Sequence, residues 1–310
     1  MRRFAISGAA ALVLIVLSTN GFAKPPIPVT GCETISKRGN YVLENDLVFT
    51  LNPGGGGNCL VINSSHVNVD LNGQAITCIL SGGFPTPCGP EFGLAGIGID
   101  IEADHVSVAN GNVDGFTVGI FGGADHISST NLSLATGVGI VLNDVSHSAF
   151  TDIGYEGVFD INGGPESFGP VLSVGGGGNN TFTSIKSTGA RSPFEGIIIG
   201  NSSNNVIDGA VISCAAEGRA GPGILLTQES NHNFITNSNI FVVFGNGIQV
   251  DLGSDGNVIQ NNTVETISPP GFFALFDQNP DCGSNIWTNN VFNNEFVTGQ
   301  ISANPVGCIH

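Results

Sequence analysis

The chain has 310 residues, with 25 acidic against 8 basic side chains and a formal net charge of -17. That charge excludes electrostatic docking on nucleic acid or an anionic membrane, and it disfavours a strongly anionic polymer unless cations bridge the two. The 46 glycines and the Asn-rich turns leave little room for long helices.

The first residues read as an address. Arg2 and Arg3 form a positive region, Phe4 to Leu17 an apolar run, and Gly21-Phe22-Ala23 a small-residue cleavage site. The apolar run is short of the roughly 18 residues of a membrane span. Residues 1–23 are therefore expected to be a signal peptide, cleaved after Ala23. The mature chain, 24–310, keeps 6 basic and 25 acidic residues, a charge of 6 − 25 = −19. It is expected to be one domain, secreted or periplasmic, with no membrane insertion.

Residues 32–50 read as an N-terminal cap, and from there a rung repeats. Each rung has a Gly-Ile-like pair, a short polar turn ending in His or Asn, and a second apolar pair. Gly98-Ile99 precedes His105-Val106, Gly119-Ile120 precedes His126-Ile127, and Gly223-Ile224 precedes Asn233-Phe234. Such anchors recur every 21 to 28 residues, a solenoid period. Apolar residues alternate over short runs, as in Val67-Asn-Val-Asp-Leu71, which is the pattern of half-buried strands. The spacing predicts about nine coils of three strands each, rising ~4.8 Å per coil to a rod of roughly 43 Å. His66, His105, His126, His147, Asn180, Asn205, Asn233, Asn257 and Asn285 are expected to stack in one turn, with the amides bonded along the stack. Insertions at 81–93, 163–178, 189–194 and 215–222 are expected on one face. Residues 281–310 read as a C-terminal cap.

All seven cysteines lie in the mature chain, which makes disulfides plausible in an exported protein. Their positions favour Cys32 with Cys59, Cys78 with Cys88 and Cys282 with Cys308. Cys214 is left as a small buried strand residue. The glycine runs 54–57 and 175–178 lack the following helix and Lys of a phosphate loop. The phenylalanines, including Phe272, Phe273 and Phe276, are expected in the core rather than on a sugar platform.

The N-terminal cap, the run at 67–73 and the Gly-Ile rungs resemble right-handed parallel β-helix repeat proteins of the pectin-lyase-like superfamily, closest to NosD-like or CASH-type repeats. The resemblance spans about 32–308. It implies an all-β, right-handed parallel β-helix and a carbohydrate-related role, because the repeats encode stacking and not one chemistry. Enzymes of this superfamily often work a sugar chain in a groove flanked by loops.

Two candidate sites follow. Arg191, Glu195, Glu217 and Arg219 are expected in two successive loops, with Lys186 nearby. A basic residue there could hold a uronate carboxylate or take a sugar-ring proton, and a Glu pair could hydrolyse by acid/base catalysis. His105, His126 and His147, 21 residues apart, could line up for copper or zinc, and the NosD-like resemblance points to copper; the alternative is that His replaces Asn in a structural turn. Polygalacturonase-type signatures (Asn-Thr-Asp, Asp-Asp, Gly-His-Gly, Arg-Ile-Lys) are missing. Asp100 and Asp251 each follow a Gly-Ile rung but lie too many coils apart to share calcium. The reading is a polysaccharide-binding protein with no required cofactor. A lyase, hydrolase or epimerase and a non-catalytic envelope scaffold stand as alternatives.

Overall fold

A computed structural model describes residues 24–51, 56–81, 88, 96–157, 169–187, 196–214, 221–294, 303–304 and 307–309. The chain winds as a parallel β-helix. A narrow sheet of eleven strands takes one strand per coil, and a broad sheet of seventeen takes the remainder. Nine strands of the narrow sheet, from Gly57–Ile62 to Leu275–Asp277, are the predicted rungs; the caps add Glu33–Ile35 and Ala303–Asn304. All described pairings between strands are parallel, so each coil lies on the one before in register.

The three-strand coil appears in two forms. Late coils split the broad sheet into two short strands, such as Phe234–Thr236 and Asn239–Val243. In the middle coils these fuse into nine-residue strands, Val106–Asp114, Ser128–Thr136 and Ala149–Gly157. Each fused strand bends at one left-handed residue, Asn110, Asn131 or Asp152, with φ 62, 54 and 53°. Asn and Asp accept that backbone because their short polar side chains bond locally.

The core is a column of aliphatic side chains, one layer per coil: Ile99, Ile120, Ile140, Leu172, Ile197, Ile224, Ile248 and Leu275 all have no measurable exposure. Three disulfides join Cys32–Cys59, Cys78–Cys88 and Cys282–Cys308, the predicted pairing. Cys214 is buried on a strand as expected.

The rung glycine has a packing reason. A Cβ at Gly119 would stand 2.7 Å from the Gly139 carbonyl oxygen, and one at Gly223 would stand 2.8 Å from that of Gly247 and collide with Ile240. At this corner the backbone of one coil rests on the next with no room for a side chain.

The stacked turn resolves into two columns, which corrects the single one expected. His66, His105, His126 and His147 share an exposed left-handed position (φ 56 to 60°), continued by Asn179, Asn204 and His232 (φ 57 to 59°). Asn180, Asn205, Asn233, Asn257 and Asn285 sit one residue later and are buried. Asn205 donates from both backbone N and Nδ2 to Asn233 Oδ1, each at 2.9 Å, and Asn233 does the same to Asn257 at 2.8 and 3.1 Å. In the early coils this second position holds apolar Val67, Val106 and Ile127. The polar ladder begins at Ser148, whose Oγ accepts from Ile127 N and whose N donates to Asn180 Oδ1.

Candidate functional site

Connections 52–56, 81–95, 158–171, 188–196, 215–223, 268–274 and 295–302 join the end of a broad-sheet strand to the next narrow-sheet strand, and connections 251–257 and 278–285 lead back from the narrow sheet to the broad one. Arg191 and Glu195 belong to the connection 188–196, and Glu217 and Arg219 to 215–223, on coils whose strands Ile197–Gly200 and Ile224–Thr227 pair directly. Their side chains lie outside the described residues. Lys186 is described and exposed, on Thr181–Ser187 of the broad sheet, in register with Gly154.

Strand alternation builds the outer face. Residues flanking each core isoleucine turn outward, giving one in-register column: Val61, Asp100, Phe121, Val141, Ser173, Ile198, Leu225, Gln249 and Phe276. The apolar members are half-buried. Phe276 stacks on Phe273 at 5.3 Å between centroids, and Phe272 is 37% exposed. These phenylalanines thus lie outside the core, contrary to expectation; the core aromatics among the described residues are Tyr41, Phe116, Phe150, Tyr155, Phe182 and Trp287. Of the three, Phe276 alone lies on a strand, where its outward register beside Gln249 follows from the strand period.

Asp100 is the unusual member of this column. It is 6% exposed although it faces outward. Asn58 Nδ2 donates to its Oδ2 at 2.5 Å, while its Oδ1 has no hydrogen-bond partner. Burial pushes its carboxyl above the usual aspartate range, the nearby Glu102 charge pushes it further, and the Asn58 bond opposes both.

The histidines do come together. Ring centroids are 4.9 Å apart for His66–His105, 4.5 Å for His105–His126 and 5.3 Å for His126–His147; the last two pairs are nearly parallel. Cofacial rings send their in-plane lone pairs side by side instead of toward one point. Among the described residues, no group of three or more His, Cys, Asp or Glu is arranged to hold a metal ion.

A concavity of about 620 Å³ runs along the bend of the broad sheet, across Gly73, Asn110, Asn131, Asp152 and Lys186. Its floor is polar. Asn131 Nδ2 donates to Asn110 Oδ1, and Asn110 Nδ2 to Asp70 Oδ1, both at 3.1 Å.

The sequence profile described as right handed beta helix region matches residues 166–306. Among solved structures, a mutant of the periplasmic alginate epimerase AlgG superposes with a TM-score of 0.52 at 9% identity, over 86% of this chain and 77% of that one. The unmutated AlgG gives 0.50 at 10% identity over the same shares. The alginate lyase of Paenibacillus sp. str. FPU-7 gives 0.44 at 14% identity, over 86% of this chain and 99% of that one. No curated protein sequence matches. The chain is a right-handed parallel β-helix of the pectin-lyase-like fold.

Proposed function

We propose that the mature chain is an exported carbohydrate-binding β-helix that holds a sugar polymer along the outer face of its narrow sheet. The observation that carries this reading is the outward column from Val61 to Phe276. Pyranose rings have a C–H face that packs on half-buried apolar and aromatic side chains, while their hydroxyls bond to a few placed polar groups such as Asn58 and Gln249. The parallel coils repeat this surface along one axis, which suits a polymer. The folds of neighbours whose names denote alginate chemistry support a polysaccharide as the ligand class. The charge of the mature chain favours a neutral or weakly acidic polymer over a polyanion. The leader pattern at 1–23 and the three disulfides support export to an oxidising compartment.

The polar concavity at the broad-sheet bend favours a second placement of the polymer. Affinity electrophoresis of the mature protein in gels carrying neutral or uronate polysaccharides separates the two. Phe121→Ala should weaken retardation about tenfold in Kd, roughly 1.4 kcal/mol, and Lys186→Ala should leave it unchanged. The reverse pattern supports the second placement, and no retardation in any gel contradicts both.

A further inference from the structure

We propose that the bend of the broad sheet holds a pit for one neutral pyranose ring, in which Asn131 and Asp152 accept from a vicinal diol and Lys186 donates to another oxygen of the sugar. The inference rests on the carbohydrate reading and departs from it in ligand: one terminal ring seated in a pit, rather than a polymer laid along a face.

Strand register builds the pit. Ser133 pairs with Gly154 and Gly154 with Lys186, so the three hold the same outward position on successive coils. The backbones of Ser133 and Lys186 are therefore two strand spacings apart, about 9.6 Å. Glycine puts no side chain into that interval, and all three residues line the concavity at the bend. Packing does not demand this glycine. A Cβ on Gly154 would meet nothing nearer than the Leu132 carbonyl oxygen at 3.8 Å, whereas one on Gly119 or Gly223 would strike the next coil. Glycine inside a strand weakens it, and one that packing does not require marks a place where a ligand comes close to the backbone.

Hydrogen bonding gives the pit its chemistry. Asn110, Asn131 and Asp152 are the left-handed residues of the bend on successive coils. Asn131 Nδ2 donates to Asn110 Oδ1, and Asn110 Nδ2 to Asp70 Oδ1. Each amide gives its N–H to the coil before it and offers its oxygen to the coil after it. The ladder stops at Asp152, whose side chain has no N–H to give to Asn131. Among the described residues, no donor reaches Asn131 Oδ1 or the Asp152 carboxylate, and Lys186 makes no hydrogen bond or ion pair. Two acceptors thus stand on adjacent coils, with the Lys186 donors beyond the glycine gap. Neighbouring sugar hydroxyls supply the two O–H donors, and a third hydroxyl or the ring oxygen accepts from Lys186. Bonds to the charged side chains are the stronger ones. One acidic and one basic group in a strongly negative chain favour a neutral ring over a uronate.

The test titrates methyl glycosides of glucose, galactose, mannose, xylose and glucuronate into nitrogen-labelled mature protein, read by proton–nitrogen NMR. At least one neutral glycoside should shift the amide resonances of 131–133, 152–154 and 186. Gly154→Thr fills the gap with a residue that favours strands. It should weaken that glycoside by at least about tenfold in Kd, with the melting temperature unchanged or raised. Asp152→Asn supplies the missing N–H to Asn131 Oδ1, so it should also weaken binding about tenfold without lowering the melting temperature; a merely structural Asp152 would leave affinity unchanged. Gel retardation by polysaccharide should persist in both variants. No shift with any glycoside, shifts confined to narrow-sheet strands, shifts with glucuronate alone, or Gly154→Thr binding as wild type does overturns the pit and leaves the narrow-sheet reading to its own gel assay. Shifts at the bend with no retardation in any gel uphold the pit and remove the narrow-sheet reading.

Discussion

Asn233 shows how much one amide contributes to this fold. Its Oδ1 accepts two bonds from Asn205, its N and Nδ2 reach Asn257, and its Nδ2 also reaches Ser202 O at 3.1 Å. Asn233→Ala leaves buried donors above it without an acceptor, so it should lower stability by about 3 kcal/mol in denaturant unfolding. His126→Asn, one column outward, meets the same left-handed requirement and exposes no buried group; its midpoint should move by less than about 0.5 kcal/mol. The sequence names all these residues but hides the offset between columns. In Asn179-Asn180 and Asn204-Asn205 both roles are filled by Asn, so aligning His147 with the second Asn looks equally regular. The distinguishing signal was the apolar Val106 and Ile127 after the early histidines, which occupy the buried position. Asp100 was visible only as one acid after a Gly-Ile pair, because burial of an outward residue depends on chain from other coils. Its raised carboxyl has a stability consequence. The unfolded state loses this proton first as pH rises from about 4, so the group costs stability above that pH and nothing below it. Asp100→Asn should therefore raise the melting temperature at pH 7, with the gain vanishing toward pH 4 in a pH series of thermal melts.

At the level of strands and turns, the rung glycine and the disulfides do different work. Glycine at 98, 119, 139, 196, 223 and 247 marks the corner where two coils touch through backbone. Gly223→Ala forces Ile240 and the next coil apart, and should cost about 2–3 kcal/mol by overpacking. The repeat made this glycine conspicuous from the sequence, yet its cause lies in the neighbouring coil and not in its own φ. Cys32–Cys59 ties the N-terminal cap to the first rung across a separation of 27 residues. Replacing both by Ser should lower stability by about 3 kcal/mol, read in the same unfolding assay. The pairings were legible because each cysteine couple brackets a cap or an insertion. The fused nine-residue strands were not, since a left-handed Asn inside a strand reads locally as a turn.

Across the whole molecule, regular winding leaves variation to the connections. Nine rungs fix a stack of parallel strands, and the connections between strands differ in length. The solenoid period made the fold readable, because every coil solves the same burial problem. Function was less readable, because the sequence shows where the loops interrupt the repeat but not which side chains line up in one outward column. That column supplies an apolar strip with Asp100, Ser173 and Gln249 set into it. The most direct measurement is binding of a polysaccharide panel by the mature protein, compared with a variant in which Phe121, Leu225 and Phe276 are all changed to Ser. Retardation by at least one polysaccharide that disappears in the triple variant, with melting preserved, is the predicted result. Retardation unchanged in that variant, or absent from the wild type across the panel, would contradict the assignment of the narrow-sheet face as the carbohydrate-binding surface.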